Sequence, residues 1–214
     1  MMKKIISLLA LGLAITVQAQ NVTLPRPNQK ATSTSMVETL AQRHSVREFA
    51  STPLSLQELS NLCWAACGMS RDDNHRTAPT ARNLQEIRLF VFMEKAVYEY
   101  DAKANILVEK AKGDHRGLIA GTKAFKQDFA ATAPVSLLMV IDFDKFGSMD
   151  PGAIQMGCVD AGIVCENINL YCQSVGLATV PRATHDKEGI RKLLGLTEKH
   201  LPIMNNPVGK PKSK

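Results

Sequence analysis

Val135-Ser136-Leu137-Leu138-Met139-Val140-Ile141-Asp142 is the most strand-like stretch of this chain. A near-continuous apolar run of strand length implies burial on both faces, because a half-solvated strand would alternate apolar and polar residues. Downstream lies the longest helical pattern, residues 154–175, with Gly176 where a C-terminal glycine cap belongs. Its apolar residues occupy more than one face, so it expects neighbours all round. Upstream, Ile87–Met93 reads as a strand, and residues 97–100 with 106–109 as a hairpin around 101–105. A helix over 115–125, a short strand over 177–180, a helix over 186–194 and a last strand over 201–204 complete the second half. Helices and strands mix without regular βαβ alternation, which favours α+β over a doubly wound sheet.

Towards the N-terminus, Ser35 with Glu38 forms a capping box that opens a helix whose apolar face is Val37, Leu40 and Ala41. A second box, Ser55 with Glu58, opens a helix carrying Leu56, Leu59, Leu62, Cys63 and Ala66, which Gly68 ends. Residues 69–85 are polar and turn-rich, and 20–33 lack periodicity and read as a linker or extended arm. Residues 1–19 differ in kind. Lys3 and Lys4, an apolar segment over 5–17 and the small-residue site Val17-Gln18-Ala19 spell a secretory signal peptide. The expected organisation is therefore 1–19 signal peptide, 20–33 arm and 34–214 a single folded domain, periplasmic or secreted.

With 214 residues, 45% hydrophobic, the chain has material for one real core. No apolar run reaches the ~20 residues of a spanning helix, so no membrane anchor is expected after cleavage. A net charge of +6, two units of it in the signal segment, is too small and dispersed for a nucleic-acid partner. Cys158, Cys165 and Cys172 recur every seven residues along one helix, ~10 Å apart, beyond disulfide reach. Cys63 and Cys67 are also poorly placed, so the cysteines read as small buried hydrophobes. There is no CxxC and no metal-ligand spacing among the five histidines, so no metal is expected. GxGxxG, P-loop and GxSxG motifs are absent.

Chemistry is carried by two polar stretches. In an extended Arg43-His44-Ser45-Val46-Arg47, residues 43, 45 and 47 point to one side. Two guanidinium forks and a hydroxyl there suit a phosphate group; the alternative is a solvated helix exit. The loop Thr80-Ala81-Arg82-Asn83-Leu84-Gln85 feeds a buried strand with amides able to read a flat heterocycle.

Together these stretches resemble the FMN-dependent nitroreductase family. R-x-S-x-R-x-F stands here as Arg43 to Phe49, and a Pro-Ser-small-x-Asn-x-Gln loop as Pro79 to Gln85. Asp160, Gly162, Asn167, Leu170 and Gly176-Leu177 match the family's long helix, and Pro207-Val208-Gly209-Lys210-Pro211-Lys212 its C-terminal motif. The similarity runs from about 36 to 212, with the motifs in order. It implies a three-layer α/β/α sandwich with a mostly antiparallel sheet, in an intertwined homodimer holding FMN at each subunit interface. By position, Arg43, His44, Ser45 and Arg47 would hold the phosphate, joined by Lys210 or Lys212. Pro79, Thr80, Ala81 and Asn83 would line the isoalloxazine or ribityl chain, and Ala183 would offer a backbone N–H to flavin N5.

In such a protein the flavin performs the chemistry, so no side chain is assigned as catalytic. The resemblance implies an exported oxidoreductase that passes hydride or electrons to a small aromatic or quinone-like acceptor. A non-catalytic flavin carrier and a peptide-azoline-type dehydrogenase are the alternatives, and a secreted domain binding some other anion is a third. Family members mostly draw on NAD(P)H in the cytosol, which leaves the reductant of an exported member open.

Overall fold

Period-two alternation along two neighbouring strands builds this molecule in three layers. The structure, a computed structural model, describes residues 20–31 and 34–212. Its strands are β1 (Val22–Thr23), β2 (Met69–Arg71), β3 (His75–Arg76), β4 (Ile87–Met93), β5 (Ala96–Asp101), β6 (Ile106–Lys112), β7 (Val135–Asp142), β8 (Ala178–Thr179) and β9 (His200–Gly209). The helices are α1 (Met36–Gln42), α2 (Leu56–Cys67), α3 (Arg116–Ala120), α4 (Phe129–Thr132), α5 (Pro151–Ser174) and α6 (Lys187–Leu194). A seven-stranded sheet runs β1-β6-β5-β4-β7-β9-β8, and every pairing in it is antiparallel.

β7 lies between β4 and β9, which explains its apolar run. Leu137, Met139 and Ile141, with Ile87, Leu89 and Val91 of β4, pack on α2 and α5. Leu138 and Val140, with Phe90 and Phe92, face Ile119, Ala120, Ala130 and Ile190 of α3, α4 and α6. A one-residue slip would exchange the two faces, so both helical layers fix this register. The α/β/α sandwich is as expected. Among the described residues no helix is long and apolar enough to cross a membrane, and all five cysteines are free.

Several local expectations are corrected. The helix over 115–125 is only α3, because Gly121 turns the chain at φ +133 and a bridge to Lys126 closes a small loop before α4. Any Cβ at Gly121 would run into the Phe125 carbonyl. The last strand is not 201–204 but the ten residues of β9. Pro202 and Pro207 disguised it, yet both lie within its pairing with β7, opposite Val140 and Ser136, and Pro207 O accepts from Thr179 Oγ1 of β8 (2.9 Å). The polar stretch 69–85 contains the β2–β3 hairpin and a 3₁₀ turn at Ala81–Asn83. α5 starts earlier than 154, at Pro151, with Asp150 as N-cap, and Gly176 does adopt left-handed φ, +73. Gly68 ends α2 with φ −72, and glycine is required there because a Cβ would overlap Trp64.

Two corrections bear on assembly. The apolar face of α1 is turned outward: Val37 is 77% and Leu40 56% exposed, Ala41 is exposed too, and only Thr39 of that helix is buried. The segment after Gln20 is docked. Val22 and Thr23 pair with β6, Leu24 is buried, and Ser60, Gln57 and Asn61 of α2 bond the backbone at Pro25, Arg26 and Asn28. Residues 1–19, read as a signal peptide, lie outside the described residues.

Candidate functional site

Arg43 caps the C-terminus of α1 through its N–H to Thr39 O (2.9 Å). The chain then runs extended beside β8, where Val46 N–H donates to Thr179 O (2.9 Å). Val46 packs inward against Phe49, Ala133 and Ala178, while Ser45 and Arg47 are exposed and Arg43 is half-buried. None of these three side chains bonds to a described residue; the His44 ring sits on Gln42 O, Nδ1 at 2.8 Å. The C-terminal segment joins the same edge. Ala50 N–H donates to Lys210 O (2.9 Å), Lys212 N–H to Glu48 O (3.3 Å), and Phe49 bridges Pro211. The basic tail is therefore tied down as far as Lys212. Lys210 Nζ lies 3.7 Å from Glu58 Oε1, whereas the Lys212 ammonium has no partner among the described residues.

Ala183 lies further along this edge. Arg182 exchanges both backbone hydrogen bonds with Asn205, N–H to O at 2.9 and 2.7 Å. In an extended chain the next residue directs its N–H and C=O the other way. Ala183 is exposed and its N–H bonds to no described residue. From Thr179, beside Val46, to Ala183 is four residues, or ~13 Å of extended backbone. The predicted phosphate cluster, the free amide and the lysines thus share one edge of one chain.

The loop at 79–85 does not join them. Glu86 O accepts from Asp142 N–H at the far end of β7, seven residues (~23 Å) from Val135, which pairs with Val208 near the lysines. The loop is held by its own bonds. Ala81 N–H donates to Asp160 Oδ2 of α5 (2.8 Å) and Gln85 N–H to Thr80 Oγ1 (2.9 Å). The Gln85 amide donates to Asn74 O and Asn83 Oδ1, and Asn83 to Asn74 O. Arg82, Asn83 and Gln85 all have φ of +54. Pro79 is exposed and Thr80 and Ala81 half-buried. In a single chain the two stretches therefore lie apart.

Behind the loop, Glu86 is fully buried beside Asp160, and neither of its carboxylate oxygens has a partner other than that carboxyl. Burial first, then the Asp160 carboxyl, pushes the Glu86 pKa up to about 7. Cys165 is also not a reactive group: its thiol donates to Asn206 Oδ1 (3.1 Å), and burial pushes its pKa up to about 12. One cluster among the described residues has metal-ligating side chains, Asp142, Asp144 and His200. His200 Nδ1 accepts from Thr197 N–H (3.2 Å), which puts the ring proton on Nε2 facing Asp142, and Asp144 pairs with Lys199 at 2.8 Å.

Comparison with known proteins fits this arrangement. The sequence profile of the Nitroreductase family matches residues 40–210. The chain belongs to the nitroreductase family. A crystal structure of a nitroreductase-family protein from Ralstonia eutropha JMP134 is 32% identical, covering 91% of this chain and 90% of that one, with a TM-score of 0.81. A Methanocaldococcus jannaschii protein that carries a nitroreductase name is 29% identical over 183 residues, 81% of this chain and 89% of its own. Bacillus megaterium NfrA2 shares the fold at a TM-score of 0.62 with 20% identity, covering 83% of this chain and 67% of that one. This nitroreductase-family member is accordingly an oxidoreductase.

Sequence reading missed Arg182, Asn205 and Glu86, whose roles depend on burial. Arg182 and Asn205 are isolated polar residues in otherwise ordinary stretches. Only an arginine directly before the proposed amide donor could have drawn attention to that position.

Proposed function

We propose that this oxidoreductase binds FMN between two copies of itself and is exported, acting on a small aromatic or quinone-like acceptor. The observation that carries the reading is the set along the β8–β9 edge that has no partner among the described residues: the side chains of Arg43, Ser45, Arg47 and Lys212, and the N–H of Ala183. A phosphate matches the first group, since guanidinium forks bond its oxygens in pairs. A ring nitrogen matches the second. FMN, once bound, supplies the hydride and electron chemistry. The chain's own residues anchor the phosphate, present a backbone donor at the ring and exclude water.

The second copy follows from the separated half-sites. Residues 79–83 precede β4, on the other side of β7 from the Ala183 edge, and are tied to Asp160 of α5, whereas a two-fold partner would bring its own loop opposite that edge. Met36, Val37 and Leu40 of α1 and, nearer the start of α5, Met156 and Val159 are exposed apolar side chains suited to that partner. A cleft of about 320 Å³ between α1, α2 and α5, lined by Met36, Trp64, Leu170 and Tyr171, adjoins it.

A visible spectrum of the purified protein tests the cofactor. Flavin bands that bleach with reductant and return with a quinone or nitroaromatic are expected. Bands that never bleach would point to a carrier, and no uptake of added FMN would overturn the reading. Mature protein beginning at Gln20 would support export, and retention of residues 1–19 in the native host would exclude it.

A further inference from the structure

The side chain of Arg182 presents a combination that family membership does not explain. It is 6% exposed, yet no carboxylate pairs with it among the described residues. Buried guanidinium groups are normally paired, because an unpaired buried charge is costly. Here the donors go to neutral acceptors on three separate elements. Nε bonds Gln127 Oε1 (2.8 Å), Nη1 bonds Ile119 O (3.0 Å) and Asn205 Oδ1 (2.8 Å), and Nη2 bonds Ala120 O (3.2 Å). The guanidinium carbon lies 5.3 Å from the centroid of the Phe129 ring. The carbonyls of Ile119 and Ala120 are the C-terminal end of α3, where partial negative charge collects and a cation is favoured. Asn205 relays the clamp: its Nδ2 donates to Thr184 O (3.0 Å), and its backbone pairs with that of Arg182.

One side chain thus fastens residues 181–184 to β9, to the end of α3 and to the loop before α4. The residue that follows it is Ala183, with the free amide. A lysine in this place has one nitrogen and cannot bond acceptors spread over three elements in a plane. An apolar residue would fill the volume and leave Asn205 Oδ1 and Gln127 Oε1 unpaired.

We propose that Arg182 is a positioning residue for the flavin site: it fixes the direction of the Ala183 N–H, and its unpaired buried charge favours the reduced, more negative form of the ring. The proposal rests on the FMN reading above. Two consequences separate it from a purely architectural role. Loss of the fork should loosen the amide and weaken FMN binding. Loss of the charge should lower the flavin midpoint potential, which a folding defect alone does not do.

The test uses full-length protein, wild type, Arg182→Met and Arg182→Lys, checked for fold by circular dichroism and titrated with FMN. FMN binding is expected to weaken about tenfold in both variants. The midpoint potential should move to more negative values in the methionine variant and stay near wild type in the lysine variant. A folded methionine variant with wild-type affinity and potential overturns the proposal while leaving the FMN reading intact. No FMN binding by the wild type overturns both. Should the methionine variant not fold, Gln127→Ala removes one half-buried acceptor; a two- to fivefold weaker FMN affinity supports the clamp, and unchanged affinity refutes it.

Discussion

The two half-sites of this molecule are built on opposite principles. Along the β8–β9 edge donors are left open: the side chains of Arg43, Ser45, Arg47 and Lys212 and the N–H of Ala183 have no partner among the described residues. In the loop at 79–85 polar groups bond to one another, to Asn74 and to Asp160, and three residues with left-handed φ, Arg82, Asn83 and Gln85, shape it. The edge is prepared to attract charge. The loop is prepared to present a surface of fixed form. A binding site that needs both must bring them together from two chains, and that requirement gives the largest test. Val159→Asp puts a charge among the exposed apolar residues of α5 and should convert the proposed dimer to monomer by light scattering. FMN affinity should fall at least a hundredfold with it. A monomer that keeps its FMN would mean that one chain suffices, and the two halves would then be unrelated.

Within the edge, the charged side chains carry the next largest effect. FMN has close to two negative charges on its phosphate at neutral pH, whereas riboflavin has none. A charged hydrogen bond is worth roughly 1.5–3 kcal/mol, and tenfold in affinity is about 1.4 kcal/mol. Arg43→Ala or Arg47→Ala should weaken FMN binding about ten- to a hundredfold and riboflavin binding hardly at all. Equal loss of both ligands would show damage to the fold, and loss of neither would return residues 43–47 to a solvated helix exit.

The two regions also differ in how pH reaches them. Behind the loop, burial and the neighbouring Asp160 raise the Glu86 pKa to about 7, so the folded chain holds a proton that the unfolded chain has lost. That contribution is complete below the ordinary carboxyl pKa of 4.5 and disappears as pH rises through 7. Beside the edge, His185 is buried, its Nε2 on Pro202 O at 3.2 Å, and desolvation first of all depresses its pKa to about 4. Its contribution is complete above 6.5 and disappears as pH falls towards 4. Thermal unfolding should therefore show a maximum in mildly acidic solution. Glu86→Gln should flatten the alkaline limb and His185→Gln the acidic limb, each by a few °C. If one substitution flattened both limbs, the two regions would form a single titrating unit.

Legibility in the sequence followed the same division. Strands β4 and β7 were readable to the residue because both faces are buried and the apolar run is long. Both serine N-caps were visible, since the residues that satisfy a helix start are local, although only Ser55 and Glu58 form the reciprocal box and the Glu38 carboxylate accepts from Gln42 instead. The R-x-S-x-R-x-F and Pro-Thr-Ala-x-Asn-x-Gln stretches were legible as polar sites, and their position at different ends of the sheet was not. What failed was set by distant contacts. Pro202 and Pro207 hid β9 because a proline removes a ladder donor and so reads as the end of a strand. The apolar face of α1 was legible but its outward orientation was not, because a periodic stripe does not record what it faces. Arg182 was invisible because its partners at 119, 120, 127 and 205 are remote in sequence.

The smallest effect concerns the two lysines, which the sequence left equivalent. They are not equivalent in the fold. Lys210 leans towards Glu58 at 3.7 Å, where both groups are partly exposed and the pair contributes little to stability. Lys212 has a free ammonium on a backbone pinned to Glu48, so a phosphate held by residues 43–47 would meet it without breaking an existing pair. A flexible lysine loses more rotamer freedom on ordering than an arginine fork, so each should count for less than Arg43 or Arg47. Lys212→Ala should weaken FMN binding about two- to fivefold, and Lys210→Ala less, with riboflavin unaffected in both. Substitution is the sharper tool here, because truncation after Val208 would also remove Gly209, the partner of Ala178 in β8, and the Lys210 carbonyl that holds Ala50. A larger loss from Lys210→Ala than from Lys212→Ala would mean that Lys210 leaves Glu58 when the phosphate arrives. Glu58→Gln should then tighten FMN binding.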